Sequence, residues 1–337
     1  MSNRPQVSVN MVVYNGAEYL QAAIESVVCQ SFLDWELIVV DNGSTDGTGS
    51  IIRSFSGDER IRPYFFDNPD LIGSRNFALE KSRGEYIGVL DSDDVCHPDR
   101  LFHQVNYLNH HSNISLVGSY TQVIDENNKR SVIHRHPSSS YMIKWRLFFG
   151  TPFAHSAIMF RKTIGAKYNE DFKWSCDKEL YVKQFDQIEF ANIESPLVQF
   201  RVHKGNQENP DKTAAQTRNG IKLSRIINSS YLGLTFDEEV YRTVARCRIY
   251  KVHNKGESRI LLEYLLRVKE EYKKRYARSD RQQEYVDQEA KKLWLGWHIG
   301  ENRSLIMKVR TYLSVPSLID ANNLYKFLVH CLRSIVS

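Results

Sequence analysis

Apolar runs and segments with helical periodicity alternate along the first half of the chain. Short runs rich in β-branched residues predict strands over residues 7–13, 37–40, 61–66 and 86–90. Apolar residues at helical spacing predict helices over 18–30, from Thr45 or Asp46 to 55, and over 73–84. This alternation predicts an α/β fold with a mainly parallel central sheet covered by helices on both faces.

Three polar residues follow the carboxyl ends of predicted strands. Asn15, Asp41 and Asp91 are far apart in the sequence, but each comes directly after a strand-like run or its turn. Ligands of open parallel sheets bind beyond the carboxyl ends of the strands. We therefore expect these three residues to line one crevice.

The pattern changes along the second half. It predicts a helix over 98–110, a strand over 114–123, a loop over 127–140 and a strand over 154–160. From residue 214 it becomes mainly helical and rich in Lys and Arg. We place a domain boundary near residue 212, which gives a catalytic domain over 1–212 and a helical, basic region over 213–337.

Asp91, Asp93 and Asp94 place three carboxylates at the mouth of a buried strand. Like charges this close together are unfavourable unless a cation offsets them. Mg²⁺ and Mn²⁺ prefer oxygen ligands, a few from protein and the rest from water and phosphate. The cluster predicts a divalent metal site that can stabilise a diphosphate leaving group. A set of helix N-caps before Pro98 is the alternative interpretation.

Five motifs follow one another along the first half of the chain: Tyr14-Asn15-Gly16 after the first strand, residues 40–48 (VDNGSTDGT), Gly73-Ser74-Arg75-Asn76, residues 84–87 (GEYI) and residues 91–94 (DSDD). Together and in this order they resemble the motifs of the inverting family 2 glycosyltransferases of bacterial surface-polysaccharide synthesis. The resemblance covers residues 6–207 and implies a GT-A nucleotide-binding fold.

The resemblance implies a role for each residue on the donor side. Asp41 would read the uracil N3–H, Arg75 would lie beside the nucleotide, Asp91 would contact the ribose or a metal-bound water, and Asp93 would coordinate Mn²⁺ or Mg²⁺. The remaining donor-binding residues would be Tyr14, near which the backbone would pack on the base, Asn15 and Ser92.

The resemblance also implies an acceptor side, which includes His155. Asp177 would be the general base that removes the acceptor proton. The family has Glu-Asp where this chain has Cys176-Asp177, so a helper role of the preceding residue is in doubt. Arg201 and His203 match an Arg-x-His element on a loop closing over the diphosphate, where His203 would ligate the metal or bond a phosphate oxygen.

Charge is distributed unevenly. The chain carries 45 Lys and Arg against 40 Asp and Glu, a net charge of +5, whereas residues 241–310 alone carry 18 against 9. A basic C-terminal part favours an anionic partner such as a membrane surface. A solvated helical face is equally compatible. In particular, the mixed apolar and basic segment 324–336 can dock on the inner face of the cell membrane or pack on the catalytic domain.

Other signals concern the cellular setting. Five scattered cysteines indicate neither a zinc site nor a disulfide framework, and the polar N-terminus and the absence of a long apolar run predict a cytoplasmic protein, soluble or peripheral to the membrane. No aromatic-interleaved basic motif suggests nucleic-acid binding. No dinucleotide or P-loop motif follows the first strand.

These observations and the resemblance predict a metal-dependent, inverting transfer of a hexose or an N-acetylhexosamine. The expected donor is a nucleotide-diphospho-sugar, preferably UDP-linked, and the expected acceptor is a hydroxyl of a glycan or lipid-linked molecule. Two alternatives stay open. One is a haloacid-dehalogenase-like phosphatase that uses Asp91 as nucleophile, although its motif should follow the first strand. The other is a nucleotide-sugar-binding scaffold whose catalysis is impaired at Cys176.

Overall fold

The computed structural model describes residues 4–203, 210–249 and 255–298. They form two compact units, the first ending at Asn219 and the second beginning at Gly220. A helix, Pro210–Ile227, runs across both this division and the boundary predicted at residue 212.

The described residues of the first unit form nine strands. They are β1 Val7–Val13, β2 Trp35–Asn42, β3 Ile61–Phe66, β4 Tyr86–Val89, β5 Val95–Cys96, β6 Ile114–Ile124, β7 Arg130–His134, β8 Met159–Arg161 and β9 Glu189–Arg201. They form one sheet in the order β3-β2-β1-β4-β8-β6-β9-β5, with β7 paired to β6.

The sheet is mainly parallel, as predicted. Strands β1, β2, β3 and β4 pair in parallel, and β6 pairs in parallel with β9. The short β8 lies antiparallel between β4 and β6, so β6 and β9 run in the same direction as β1 to β4. The carboxyl ends of these strands consequently meet at one edge of the sheet.

The four helices predicted from periodicity within residues 18–110 agree with the structure to within a few residues at each end, whereas the helix over 140–147 was not predicted. In the first unit the helices are α1 Leu20–Val28, α2 Thr48–Ser54, α3 Leu71–Lys81, α4 Arg100–His110, α5 Ser140–Leu147 and α6 Cys176–Lys183, followed by α7 Pro210–Ile227. Helices on both faces explain why every residue of β2 is buried.

Successive residues of β2 pack into different cores. Leu37 and Val39 belong to a large cluster that includes residues of α1 and α4, whereas Ile38 and Val40 pack with Ala78 of α3. Side chains of a strand alternate between the two faces of the sheet. The continuous apolar run is therefore the expected sequence of a strand covered on both sides.

Two predicted elements are wrong. The loop predicted over 127–140 contains β7, whose residues are all exposed; without a buried face, the strand lacks the alternation that would have identified it. The strand predicted over 154–160 begins with a 3₁₀ turn, His155–Ala157, and only Met159–Arg161 is a strand. Both errors have the same origin, because hydrophobic patterning reports burial. An exposed strand has no apolar pattern, and an apolar run does not by itself specify the backbone conformation of a buried segment.

The amino ends of the strands are held by a buried carboxylate. Glu36 of β2 accepts hydrogen bonds from Ser8 Oγ at 2.6 Å, the backbone N–H of Arg83 at 2.7 Å, its Nε at 2.8 Å and Arg62 Nη1 at 2.9 Å. Burial alone would raise the pKa of Glu36, but these hydrogen bonds lower it below its ordinary value. The cluster joins β1, β2, β3 and the segment after α3 at the edge opposite the candidate site.

The second unit is helical where the structure describes it. It contains the end of α7, a π-helical turn, Asn228–Leu232, and the helices α8 Glu238–Ile249, α9 Lys255–Tyr276 and α10 Asp280–His298. Several basic side chains of this unit pair with acids within it, since Lys269 and Lys273 both contact Asp287 and Arg246 contacts Glu257. Within the described residues, no helix is long and apolar enough to cross a membrane. The segment 324–336 lies outside the described residues.

Candidate functional site

The loops after β1 and β2 are joined by polar contacts of Asn15. Its backbone N–H donates to Ser44 Oγ at 2.9 Å, and its side-chain oxygen accepts from the backbone N–H of Thr45 at 2.8 Å. Asn15 has a positive φ of 48°, a conformation that asparagine tolerates better than most residues. The two loops therefore form one wall of the crevice.

Asp41 and Tyr14 occupy different environments on this wall. Asp41 is 5 % exposed, and its Oδ1 accepts the backbone N–H of Ser44 at 2.9 Å. Tyr14 is 52 % exposed. An exposed aromatic ring can stack on a base, and a fixed carboxylate can accept a hydrogen bond from its edge. The predicted roles of both residues are compatible with this placement and stay predictions.

Asp91 follows β4 and is surrounded by hydrogen-bond donors. Ser156 Oγ donates to Asp91 Oδ2 at 3.0 Å, Arg75 Nη2 lies 3.4 Å from Asp91 Oδ1, and His155 Nδ1 lies 3.6 Å from the same oxygen. Burial alone would raise the pKa of Asp91, but His155, Arg75 and Ser156 hold it well below its usual range. Asp91 is therefore ionised and held in one orientation.

Asp93 meets His203 across the crevice, with 3.1 Å between Asp93 Oδ2 and His203 Nε2. Burial and the negative charge of Asp91 raise the pKa of Asp93. Asp94 is almost completely buried, and burial together with Asp93 and Asp91 raises its pKa well above the usual value. The predicted crowding of carboxylates is real, and a bound cation would offset it.

The donor set fits a hard divalent ion. A carboxylate oxygen and an imidazole nitrogen about 3 Å apart can both reach an ion whose bonds are about 2.1 Å long. Among the described residues, no group of three or more His, Cys, Asp or Glu side chains gathers around one point. Two protein ligands are the usual number for an ion that shares its shell with phosphate and water. Metal binding by Asp93 and His203 stays a prediction.

Arg201 does not lie on a loop over the crevice. It is the last residue of β9, only 2 % exposed, and its Nε donates to the backbone oxygen of Asp93 at 2.9 Å while its backbone N–H donates to Asp94 Oδ1 at 2.8 Å. Its guanidinium also lies over the ring of Tyr19, 4.6 Å from the centroid. These contacts hold the acidic loop in place, so the geometry of Arg201 is that of a structural residue.

Ser92 lies against the turn after β1. A Cβ placed on Gly16 would be 3.4 Å from Ser92 Oγ and 2.6 Å from Val13 Cγ2. Glycine at this position allows the first loop to approach the acidic loop closely.

Arg75 contacts both the acidic loop after β4 and the start of α6. Its Nη1 lies 2.9 Å from Cys176 Sγ, and its Nη2 lies 3.4 Å from Asp91 Oδ1. Asp177 is the second residue of α6, directly after Cys176. Burial raises the pKa of the Cys176 thiol, so the thiol is neutral. The sequence pair Cys176-Asp177 is therefore brought to the same guanidinium as Asp91.

Two residues of the site carried no predicted role. Tyr168 Oη lies 2.9 Å from His155 Nε2, and the side chain of Asn76 makes two hydrogen bonds, 2.8 and 2.9 Å, with the backbone of Tyr168. Asn76 belongs to the same sequence motif as Arg75, and this motif could have identified it as a site residue. Tyr168 stands in an irregular segment, and nothing in its sequence context distinguishes it.

Comparisons with known proteins show which family the chain resembles in sequence. A model of the family described as glycosyl transferase family 2 matches residues 8–180. The chain is 37 % identical over 166 residues to EpsE of Bacillus subtilis, a protein named as a glycosyltransferase. The match covers 48 % of this chain and 58 % of EpsE. A Haemophilus influenzae protein named as an uncharacterized glycosyltransferase is 29 % identical over 267 residues, covering 75 % of this chain and 82 % of that protein.

The fold is shared with a solved structure. The crystal structure of Staphylococcus aureus TarS residues 1–349 in complex with UDP-GlcNAc has a TM-score of 0.56 and 15 % identity, covering 84 % of this chain and 92 % of that one. The expected GT-A type of α/β fold with a helical C-terminal region is thereby confirmed.

Proposed function

The chain belongs to glycosyl transferase family 2, and from this premise we propose that it is an inverting, metal-dependent glycosyltransferase. The proposed donor is a UDP-sugar carrying a hexose or N-acetylhexosamine. The proposed acceptor is a hydroxyl of a glycan or lipid-linked acceptor in bacterial surface-polysaccharide synthesis. The TarS complex with UDP-GlcNAc, on a similar fold, supports the choice of a UDP-linked donor.

The single observation that carries the proposal is the position of Arg75. Its guanidinium contacts Asp91, at the carboxyl end of a central strand, and Cys176, the residue before Asp177. A transfer reaction requires the donor and the attacking hydroxyl to be held side by side. Arg75 joins the two halves of the site that this reaction would use.

The donor would lie along the loops after β1, β2 and β4. Tyr14 and Asp41 would hold the base, and the ionised Asp91 would accept a hydrogen bond from the ribose or from a water. Asp93 and His203 would hold Mn²⁺ or Mg²⁺, which supplies positive charge to the departing diphosphate when bound.

The chemical step assigns the acceptor proton to Asp177. As the acceptor oxygen forms its bond to the anomeric carbon, Asp177 takes the proton from that hydroxyl, and the bond between the anomeric carbon and the diphosphate oxygen breaks. The electron pair of the broken bond leaves with UDP. Attack from the face opposite the leaving group inverts the anomeric configuration.

The test is UDP release measured over a panel of UDP-sugars, with and without Mn²⁺, for the wild type and for Asp177→Asn. We expect the substitution to lower acceptor-dependent release by at least about 100-fold, since general base catalysis contributes about 10²–10⁴-fold. Asp186→Asn, an exposed carboxylate beyond the end of α6, is the matched control and should retain full activity.

Two outcomes would contradict the proposal. Full transfer by Asp177→Asn would remove Asp177 as the base. Donor binding by the wild type without turnover on any acceptor would favour the scaffold interpretation, in which Cys176 marks lost catalysis.

A further inference from the structure

A small cavity lies beneath Asp91, inside the first unit. Its volume is about 10 Å³, and its polar lining comes from Asn10 of β1, Arg75, Asp91, His155 and Tyr168. Residues of β1, β4 and α3 line the cavity, so it lies directly next to the proposed donor site.

Two buried polar atoms at this cavity have no hydrogen-bond partner among the described residues. They are Asn10 Nδ2 and His155 Nδ1, which lies 3.6 Å from Asp91 Oδ1, too far for a hydrogen bond. Asn10 is 6 % exposed, and the side chain of His155 is 8 % exposed. Buried polar groups in native proteins are nearly always paired, with protein or with an ordered water. A polar cavity of about 10 Å³ can hold one water molecule.

The hydrogen-bond pattern indicates how such a water would be oriented. Tyr168 Oη, 2.9 Å from His155 Nε2, can donate to that nitrogen, which leaves the ring proton on Nδ1. Nδ1 then faces the Asp91 carboxylate and the cavity as a donor. A water can accept from His155 Nδ1–H and from Asn10 Nδ2–H, and donate to the carboxylate.

We propose that one buried water molecule, bound by Asn10 and His155, forms with Tyr168 a positioning network that fixes the orientation of Asp91. The consequence for donor binding rests on the proposed function, because Asp91 is there a donor contact. The water site itself does not depend on it.

The network also reaches the acceptor side. The side chain of Asn76 hydrogen-bonds to the backbone N–H and carbonyl of Tyr168. Tyr168 lies eight residues before Cys176, which begins α6. Tyr168 therefore connects the segment that leads to Asp177 with the residue that holds the donor.

The first experiment is a crystal structure of the full chain with UDP, at a resolution that shows ordered water. We expect density for one water within hydrogen-bond distance of Asn10 Nδ2 and His155 Nδ1. A dry cavity, or a different partner for both nitrogens, would overturn the water site.

The second experiment measures the dissociation constant of UDP by calorimetry for Tyr168→Phe, His155→Ala and the double variant. We expect each single change to weaken UDP binding by about 3–10-fold, the size of one lost hydrogen bond. The dissociation constant of the double variant should equal the higher of the two single-variant values, because both changes break the same hydrogen-bond network. Tyr181→Phe is the matched control, since Tyr181 is a buried tyrosine whose hydroxyl has no hydrogen-bond partner in the described part of the chain.

The outcomes separate this inference from the proposed function. Additive effects would show that Tyr168 and His155 act independently. A Tyr168→Phe variant that binds UDP like Tyr181→Phe would show that Tyr168 acts only by packing. Either result would overturn the positioning network. A wild type that binds no UDP would defeat the proposed function, and the crystallographic water would then decide the water site alone.

Discussion

The buried carboxylate of Glu36 allows a stability prediction whose size follows from its contacts. In Glu36→Gln, the amide oxygen replaces one carboxylate oxygen, but the amide NH₂ points at donors of Arg62 or Arg83. Removing the charge from a buried pair costs about 3–5 kcal/mol. Because the side chains of Arg62 and Arg83 are 26 % and 49 % exposed, water can solvate part of their charge. We therefore expect a loss near the lower limit, about 3 kcal/mol.

The pH dependence of this effect has a definite sign. The folded pKa of Glu36 is lower than its value near 4.5 in an unfolded chain. The carboxylate therefore contributes stability above about pH 4.5, and this contribution is lost as the pH falls through the folded pKa. The free-energy difference between wild type and Glu36→Gln should be full at neutral pH and shrink in acid.

The assay is urea unfolding followed by tryptophan fluorescence and circular dichroism, at neutral and at acid pH. Glu80→Gln is the control, since Glu80 forms an exposed pair with Lys81 and should change stability by less than about 1 kcal/mol. A loss below about 1 kcal/mol for Glu36→Gln, or a loss that does not depend on pH, would refute the reasoning that this cluster stabilises the amino ends of the strands.

Three further predictions concern the backbone, the metal and the basic region. Gly84→Ala should lower the melting temperature, because the new Cβ would lie 2.5 Å from the backbone nitrogen of Ser8; Gly57→Ala, with open space around it, should not. Asp93→Asn should abolish stimulation of UDP release by Mn²⁺, and stimulation equal to the wild type would remove Asp93 as a ligand. Flotation with anionic liposomes should recover the full chain and lose it on truncation after residue 315; equal recovery would refute membrane docking by the C-terminal segment.

The sequence alone determined the elements of the sheet that are buried on both faces. Strand 7–13 was predicted to the residue, because a continuous apolar run is typical of a strand covered on both sides. Strand 61–66 was also predicted to the residue, although it lies at the edge of the sheet and only Ile61 is buried. The same logic placed Asn15, Asp41 and Asp91 at one edge of the sheet. Elements without a buried face were beyond this reasoning, and β7 is the example.

The tertiary structure decided what each side chain does. The sequence placed Arg201 over a phosphate, but the fold buries it against the backbone of Asp93. It offered no role for Tyr168, since a contact with His155 depends on how two separate segments return to the sheet. Sequence motifs identify which polar and charged residues lie at the ends of strands. Orientation, burial and pKa depend on neighbours distant in sequence. Only the folded chain brings Asp91 and Cys176, the residue before Asp177, to the guanidinium of Arg75.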